Sequence, residues 1–140
     1  MADGEFMRLD IASLGKGATT REKIIDAMSY IQNHERSLAQ QLYLGLRDID
    51  GIDIYGPPLK ETQRAPPISF TVENHRPEAI CQYLSEHGIC AWDGHFYAIR
   101  AVEVMDLMGQ GGVTRMGIAA YNTAEEIDYV ISTLGKLLER

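Results

Sequence analysis

One apolar stripe of helical period dominates the first third of the chain. Ile24, Met28, Ile31, Leu38, Leu42 and Ile49 recur three, four or seven positions apart, so they line one face of a helix. Arg21, Lys23, Asp26, Gln32, Glu35 and Gln40 lie mostly off that stripe. Thr19 and Glu22 have the spacing of a capping box, which predicts the helix start. Gly51 suits a C-terminal stop, which predicts the end near Asp50-Gly51. Such a helix of about 28 residues is roughly 40 Å long at 1.5 Å per residue. That exceeds what a small domain needs, so part of the stripe is expected to pack on another domain.

Behind this helix the pattern changes to short strands mixed with shorter helices. Residues 52–55 read as a strand stopped by Gly56-Pro57-Pro58, and a loop runs on to Pro66-Pro67. Residues 68–72 alternate as a half-buried strand does. Pro77 opens a helix whose inner face is Ile80, Cys81, Tyr83 and Leu84, and Gly88 ends it. Residues 89–92 predict a strand closed by an Asp93-Gly94 turn. Helical spacing then runs over 97–108, Gly109-Gln110-Gly111-Gly112 breaks it, and 113–120 read as the last strand. Thr123 and Glu126 form a second capping box ahead of Ile127, Val130, Ile131, Leu134 and Leu138. The order is α-β-β-α-β-α-β-α. It predicts an α+β fold: a small three- to four-stranded, mainly antiparallel sheet, helices packed on one face, and a long helix in front.

A length of 140 residues predicts one domain. Met1-Ala2-Asp3-Gly4-Glu5-Phe6, ahead of a second methionine at Met7, reads as a cloning remnant, leaving residues 7–140 as the domain. A net charge of −7 argues against nucleic acid or an anionic membrane as a main partner. No apolar run approaches the roughly 18 residues of a membrane span, and no signal peptide is visible. The two cysteines, Cys81 and Cys90, lack CxxC spacing, and a reducing cytoplasm is the simplest setting.

The candidate chemistry lies in the last third. Along the last strand Thr114, Met116 and Ile118 share one face, and Val113, Arg115, Gly117 and Ala119 share the other. Met116 and Ile118 suit the face under the helices, so Arg115 points away from that core. A guanidinium there either grips a carboxylate in two parallel hydrogen bonds or stands solvated on an open sheet face. His95 is a candidate proton carrier or stacking ring, and Tyr97 a candidate acid or hydrogen-bond donor. Against these stand an ordinary loop histidine and a tyrosine that simply packs. Trp92 reads as core rather than as a platform for a ligand. His87, Cys90 and His95 fit no standard metal spacing, so no metal site is expected. The glycine run precedes a strand rather than a helix, so it reads as a flexible connector and not as a phosphate loop. No Ser/His/Asp or Cys/His nucleophile motif stands out.

Three blocks carry a resemblance: Gly94-His95-Phe96-Tyr97-Ala98, Gly112-Val113-Thr114-Arg115-Met116-Gly117, and Tyr121-Asn122-Thr123-Ala124-Glu125-Glu126-Ile127. They resemble the C-terminal part of class V aminotransferases, in the branch of the cysteine desulfurases and selenocysteine lyase-like proteins. Pro67-Ile68-Ser69-Phe70, Glu78 and His87-Gly88-Ile89 resemble that family's small-domain strand and helix. The resemblance runs from about Ser13 to the end. It implies a fold-type I parent that uses pyridoxal phosphate (PLP) on an amino-acid substrate, is a homodimer, and has a large PLP-binding domain missing here. The reaction could be a lyase, transaminase or racemase step. The resemblance further implies that Arg115 holds the substrate α-carboxylate and that Tyr97 stands where desulfurases carry their nucleophilic cysteine. A phenol cannot take sulfur to form a persulfide, which sets the chain apart from desulfurase chemistry. Lys16, Lys23, Lys60 and Lys136 all read as surface residues, and none resembles the family's Schiff-base lysine. The expectation is a domain with no cofactor bound and no activity alone. The rival reading is a stand-alone, non-enzymatic α+β interaction module.

Overall fold

The computed structural model describes residues 19–59 and 64–139. Residues 1–6, Lys16 and Lys60, on which expectations fell, lie outside that range. The elements are α1 (Thr20–Arg47), β1 (Ile52–Tyr55), β2 (Ile68–Val72), α2 (Pro77–Glu86), β3 (Trp92–Gly94), α3 (Ile99–Val104), β4 (Val113–Met116) and α4 (Ala124–Leu138). A 3-10 turn, Met108–Gln110, precedes β4. The four strands form one antiparallel sheet in the order β1-β2-β4-β3. The α+β class and the long leading helix are as the sequence predicts. The two edge strands have four and three residues.

Helix α1 starts on the predicted box. The Thr19 N–H donates to Glu22 Oε2 (2.7 Å), and the Glu22 N–H donates back to Thr19 Oγ1 (3.3 Å). It stops three residues short of the predicted end, at Arg47 with Asp48 as cap, and the left-handed Gly51 closes the turn into β1. Its stripe divides in two. Leu38, Leu42 and Leu46 are buried, whereas Ile24, Ile25 and Met28 are each more than half exposed. Among 20–33 no residue is buried, so this half of α1 overhangs the domain.

The main core joins α1, α2 and α4 to one face of the sheet through Leu42, Leu46, Phe70, Ile80, Leu84 and Leu134. Gly45 lets α4 approach, because a β-carbon there would overlap the Ile131 side chain. On the other face Val113 packs with Val102 and Leu107, covered in part by Tyr55 and Phe96. α3 therefore lies across one part of an otherwise open face.

Three predicted boundaries are corrected. The third strand falls on Trp92–Gly94, not 89–92. Gly88 is left-handed, and the Ile89 N–H donates to Leu84 O (2.9 Å) to cap α2, so it is not available to the sheet. Asp93-Gly94 is then part of the strand, with Gly94 paired to Val113. The helix predicted over 97–108 is confined to Ile99–Val104, because Phe96, Tyr97 and Asp106 all have positive φ. The last strand ends at Met116, not 120. Met116 pairs with Ile68, and the residues before Ile68 are prolines with no N–H for a ladder.

Candidate functional site

Register places four side chains in one row across the open face. Tyr55 of β1 opposes Ser69 of β2, Ser69 opposes Arg115 of β4, and Arg115 opposes Trp92 of β3. Residues directly opposite in an antiparallel pair have β-carbons about 5 Å apart, so neighbours in this row are within contact range. The alternation predicted for β4 holds at its centre. Thr114 and Met116 are buried under the helices and Arg115 is exposed on the other side. Val113 shares the Arg115 face yet is buried, because α3 covers it.

The Arg115 guanidinium sits 3.6 Å above the centre of the Phe96 ring. At an exposed site such a cation–π contact stabilises by about 0.5–1 kcal/mol. It holds the guanidinium over the ring, and among the described residues no hydrogen bond occupies its N–H groups. Among the described residues Arg115 has no acidic partner; the ion pairs there are Arg47–Asp48 and Arg100–Glu103.

Trp92 corrects the expectation of a core residue. It is 74% exposed, because the shifted strand turns its side chain to the open face beside Arg115. Phe96 and Trp92 are the two residues that sequence reasoning missed at this site. The helix-capping role of Gly88-Ile89 was the signal that could have moved the strand, and with it Trp92.

The loop 95–98 carries two residues with a strained backbone. Phe96 and Tyr97 are both left-handed (φ 50° and 61°), a conformation that costs non-glycine residues on the order of 1–3 kcal/mol each and clusters at functional sites. The Tyr97 N–H donates to His95 Nδ1 (3.2 Å), and the Ala98 N–H donates to His95 O (2.7 Å). With Nδ1 accepting, the neutral imidazole carries its proton on Nε2. The His95 and Tyr97 rings meet edge to face at 6.4 Å. Tyr97 does not pack, contrary to the ordinary reading of a tyrosine at a helix start: it is 97% exposed. The root of this loop is pinned where Gly112 passes Gly94, since a β-carbon on Gly112 would overlap the Gly94 backbone. The glycine run is therefore a close crossing at its end rather than slack.

The Tyr121-Asn122-Thr123 block is a structural corner. Asn122 Oδ1 accepts from the Ala119 N–H (2.8 Å), and Asn122 Nδ2 donates to Glu126 Oε2 (3.0 Å). His34 Nε2 meets Asn122 O at 3.0 Å, so α1 is tied to the same corner. Thr123 and Glu126 complete the predicted capping box. Cys81 is held protonated: burial, and then the charge of Asp93, push its thiol up to about 11. Cys90 is exposed and outside the row. No group of three His, Cys, Asp or Glu among the described residues could hold a metal ion. Among those residues no helix is long and apolar enough to cross a membrane.

The sequence model of the family described as "Aminotransferase class-V" matches residues 8–130. A protein of Methanothermobacter thermautotrophicus named "Probable cysteine desulfurase" is 34% identical over 131 residues, which cover 92% of this chain and 32% of that protein. A protein of Staphylococcus epidermidis with the same name is 28% identical over 124 residues, covering 83% of this chain and 29% of that protein. Among solved structures, the apo cysteine desulfurase of Thermococcus onnurineus NA1 superposes with a TM-score of 0.71 at 27% identity, over 85% of this chain and 28% of that one. The chain thus spans about a third of the length of the curated relatives it matches.

Proposed function

Because the chain belongs to the class V aminotransferases, we propose that residues 7–140 are the small domain of a PLP-dependent enzyme of the cysteine desulfurase branch. In this reading the domain supplies one wall of an active site completed by a larger domain, and Arg115 holds the α-carboxylate of an amino-acid substrate. The supporting observation is the exposed Arg115 guanidinium, stacked on Phe96, with no acidic partner among the described residues. A carboxylate bound there would take two charge-assisted hydrogen bonds, worth about 1.5–3 kcal/mol. That fixes the direction in which the rest of the substrate projects.

The family uses PLP, but the described residues do not fit that group. The described lysines, Lys23 and Lys136, stand on α1 and α4, away from the strands of the Arg115 row. The glycine run leads into β4 and presents no helix N-terminus to a phosphate. Tyr97 and His95 stand at the rim as a hydrogen-bond donor and an imidazole with its Nε2 side free. A phenol at that position forms no persulfide, so in this reading the whole enzyme catalyses a lyase, transaminase or racemase step without persulfide formation at Tyr97.

The chain alone is inactive in this reading. PLP added with a panel of amino acids, followed by borohydride reduction and mass measurement, tests it. A stoichiometric reduced adduct together with turnover would overturn the claim. In the whole enzyme, Arg115→Ala is expected to raise KM for the amino acid by about 10- to 150-fold. An unchanged KM would remove the anchor role. Coding sequence running upstream of Met7 into a lysine-bearing domain would decide against a stand-alone interaction module.

A further inference from the structure

The cross-sheet row carries more than a carboxylate anchor. Its two central positions, Ser69 and Arg115, offer a hydroxyl and a guanidinium side by side. Its end toward β3 is the exposed indole of Trp92, and the Phe96 ring lies under the guanidinium. Toward β1 the row is closed by Tyr55, whose hydroxyl is 3.2 Å from Thr71 Oγ1. A bound carboxylate therefore has polar donors at the centre, an engaged phenol on one side and a free aromatic surface on the other. Nothing among the described residues uses the Trp92 ring: no aromatic partner lies against it, and its side chain is open to solvent.

We propose that Trp92 is a specificity-determining residue, and that this face takes an amino acid whose side chain ends in a planar or aromatic group stacked on the indole. The proposal rests on the reading of Arg115 as the carboxylate anchor and adds the side-chain class. The carboxylate is held by Arg115 and Ser69, and the side chain runs along the row over Trp92. An aromatic contact of this kind is worth up to about tenfold in affinity beyond the area it covers.

The chain reports on this directly, because Trp92 is its one tryptophan. The test titrates it with 3-phenylpropionate, with acetate, and with 3-phenylpropionamide. It follows tryptophan emission excited at 295 nm and the Arg115 side-chain N–H in proton–nitrogen spectra. The expected result is saturable change in both signals with 3-phenylpropionate, at an affinity about tenfold above that of acetate. The amide should leave Arg115 unmoved. Trp92→Leu, an exposed substitution, should bring the two acids within about twofold of each other. Arg115→Gln should abolish binding of both. If both acids move Arg115 equally and Trp92 stays silent, the proposal falls while the anchor reading stands. If neither acid moves Arg115, or the amide binds as well as the acid, the anchor reading falls and takes the proposal with it.

Discussion

Gly112 sets the tightest constraint on any single side chain near the site. Its φ is 95°, and a β-carbon would overlap the backbone of Gly94, which has no rotamer with which to yield. Gly112→Ala is expected to destabilise the domain by about 2–4 kcal/mol, read as a lower urea midpoint. Gly88 has a positive φ but open space around it, so Gly88→Ala should cost only about 1 kcal/mol. Cys81 gives a chemical counterpart. With its thiol pushed up from 9.0 to about 11, the thiolate at pH 8 is about a hundredfold scarcer than for an ordinary cysteine. Iodoacetamide labelling followed by mass spectrometry should therefore find Cys90 modified first, and the Cys81 rate should rise until about pH 11. At this scale, the orientation of Arg115 was legible because alternation on a strand between helix-facing residues has one solution. Trp92 was not. Its exposure depends on a register that Ile89 decides by spending its N–H on a helix cap, and the Gly88 stop signal alone does not say how many residues that cap takes from the strand.

Helix α1 joins two regimes in one element. Its C-terminal half is core and its N-terminal half touches little of the described domain. Leu42→Ala should cost about 2–5 kcal/mol, whereas Ile24→Glu with Met28→Glu should change stability by less than about 0.5 kcal/mol. The overhang depends on its cap. The Thr19 backbone N–H, and then its hydroxyl, lower the Glu22 carboxyl below its ordinary value of 4.5. A lowered carboxyl stabilises the folded cap above about pH 4.5, and that contribution is lost as pH falls through the lowered value. Amides at 20–33 are thus expected to exchange faster than those at 38–47, and to lose further protection under acid or on Thr19→Ala. Equal protection along α1 would contradict this. The length and both capping boxes were legible, since they rest on residues within three positions of one another. That part of the stripe would lie off the domain followed from the helix length; where it divides was not legible, because six apolar residues at one period look alike whether or not a sheet lies beneath them.

Among the described residues, the sheet is covered on one side by helices α1, α2 and α4 and left largely open on the other. Exposed apolar side chains among those residues include those of the α1 overhang and Trp92, and also Val104 of α3 and Tyr121. Surfaces of that kind mark interaction sites, and at high concentration they favour association of copies. Sedimentation should show a weak, concentration-dependent dimer that Ile24→Glu with Met28→Glu reduces; a clean monomer throughout would argue against the overhang as a contact surface. The form of that association is set by the short edge strands. With four residues at one margin and three at the other, the sheet offers little backbone template for strand addition. Copies that meet must do so through side chains. Stored solutions of this chain should accumulate reversible oligomers that dissolve on dilution, and thioflavin fluorescence should stay flat throughout.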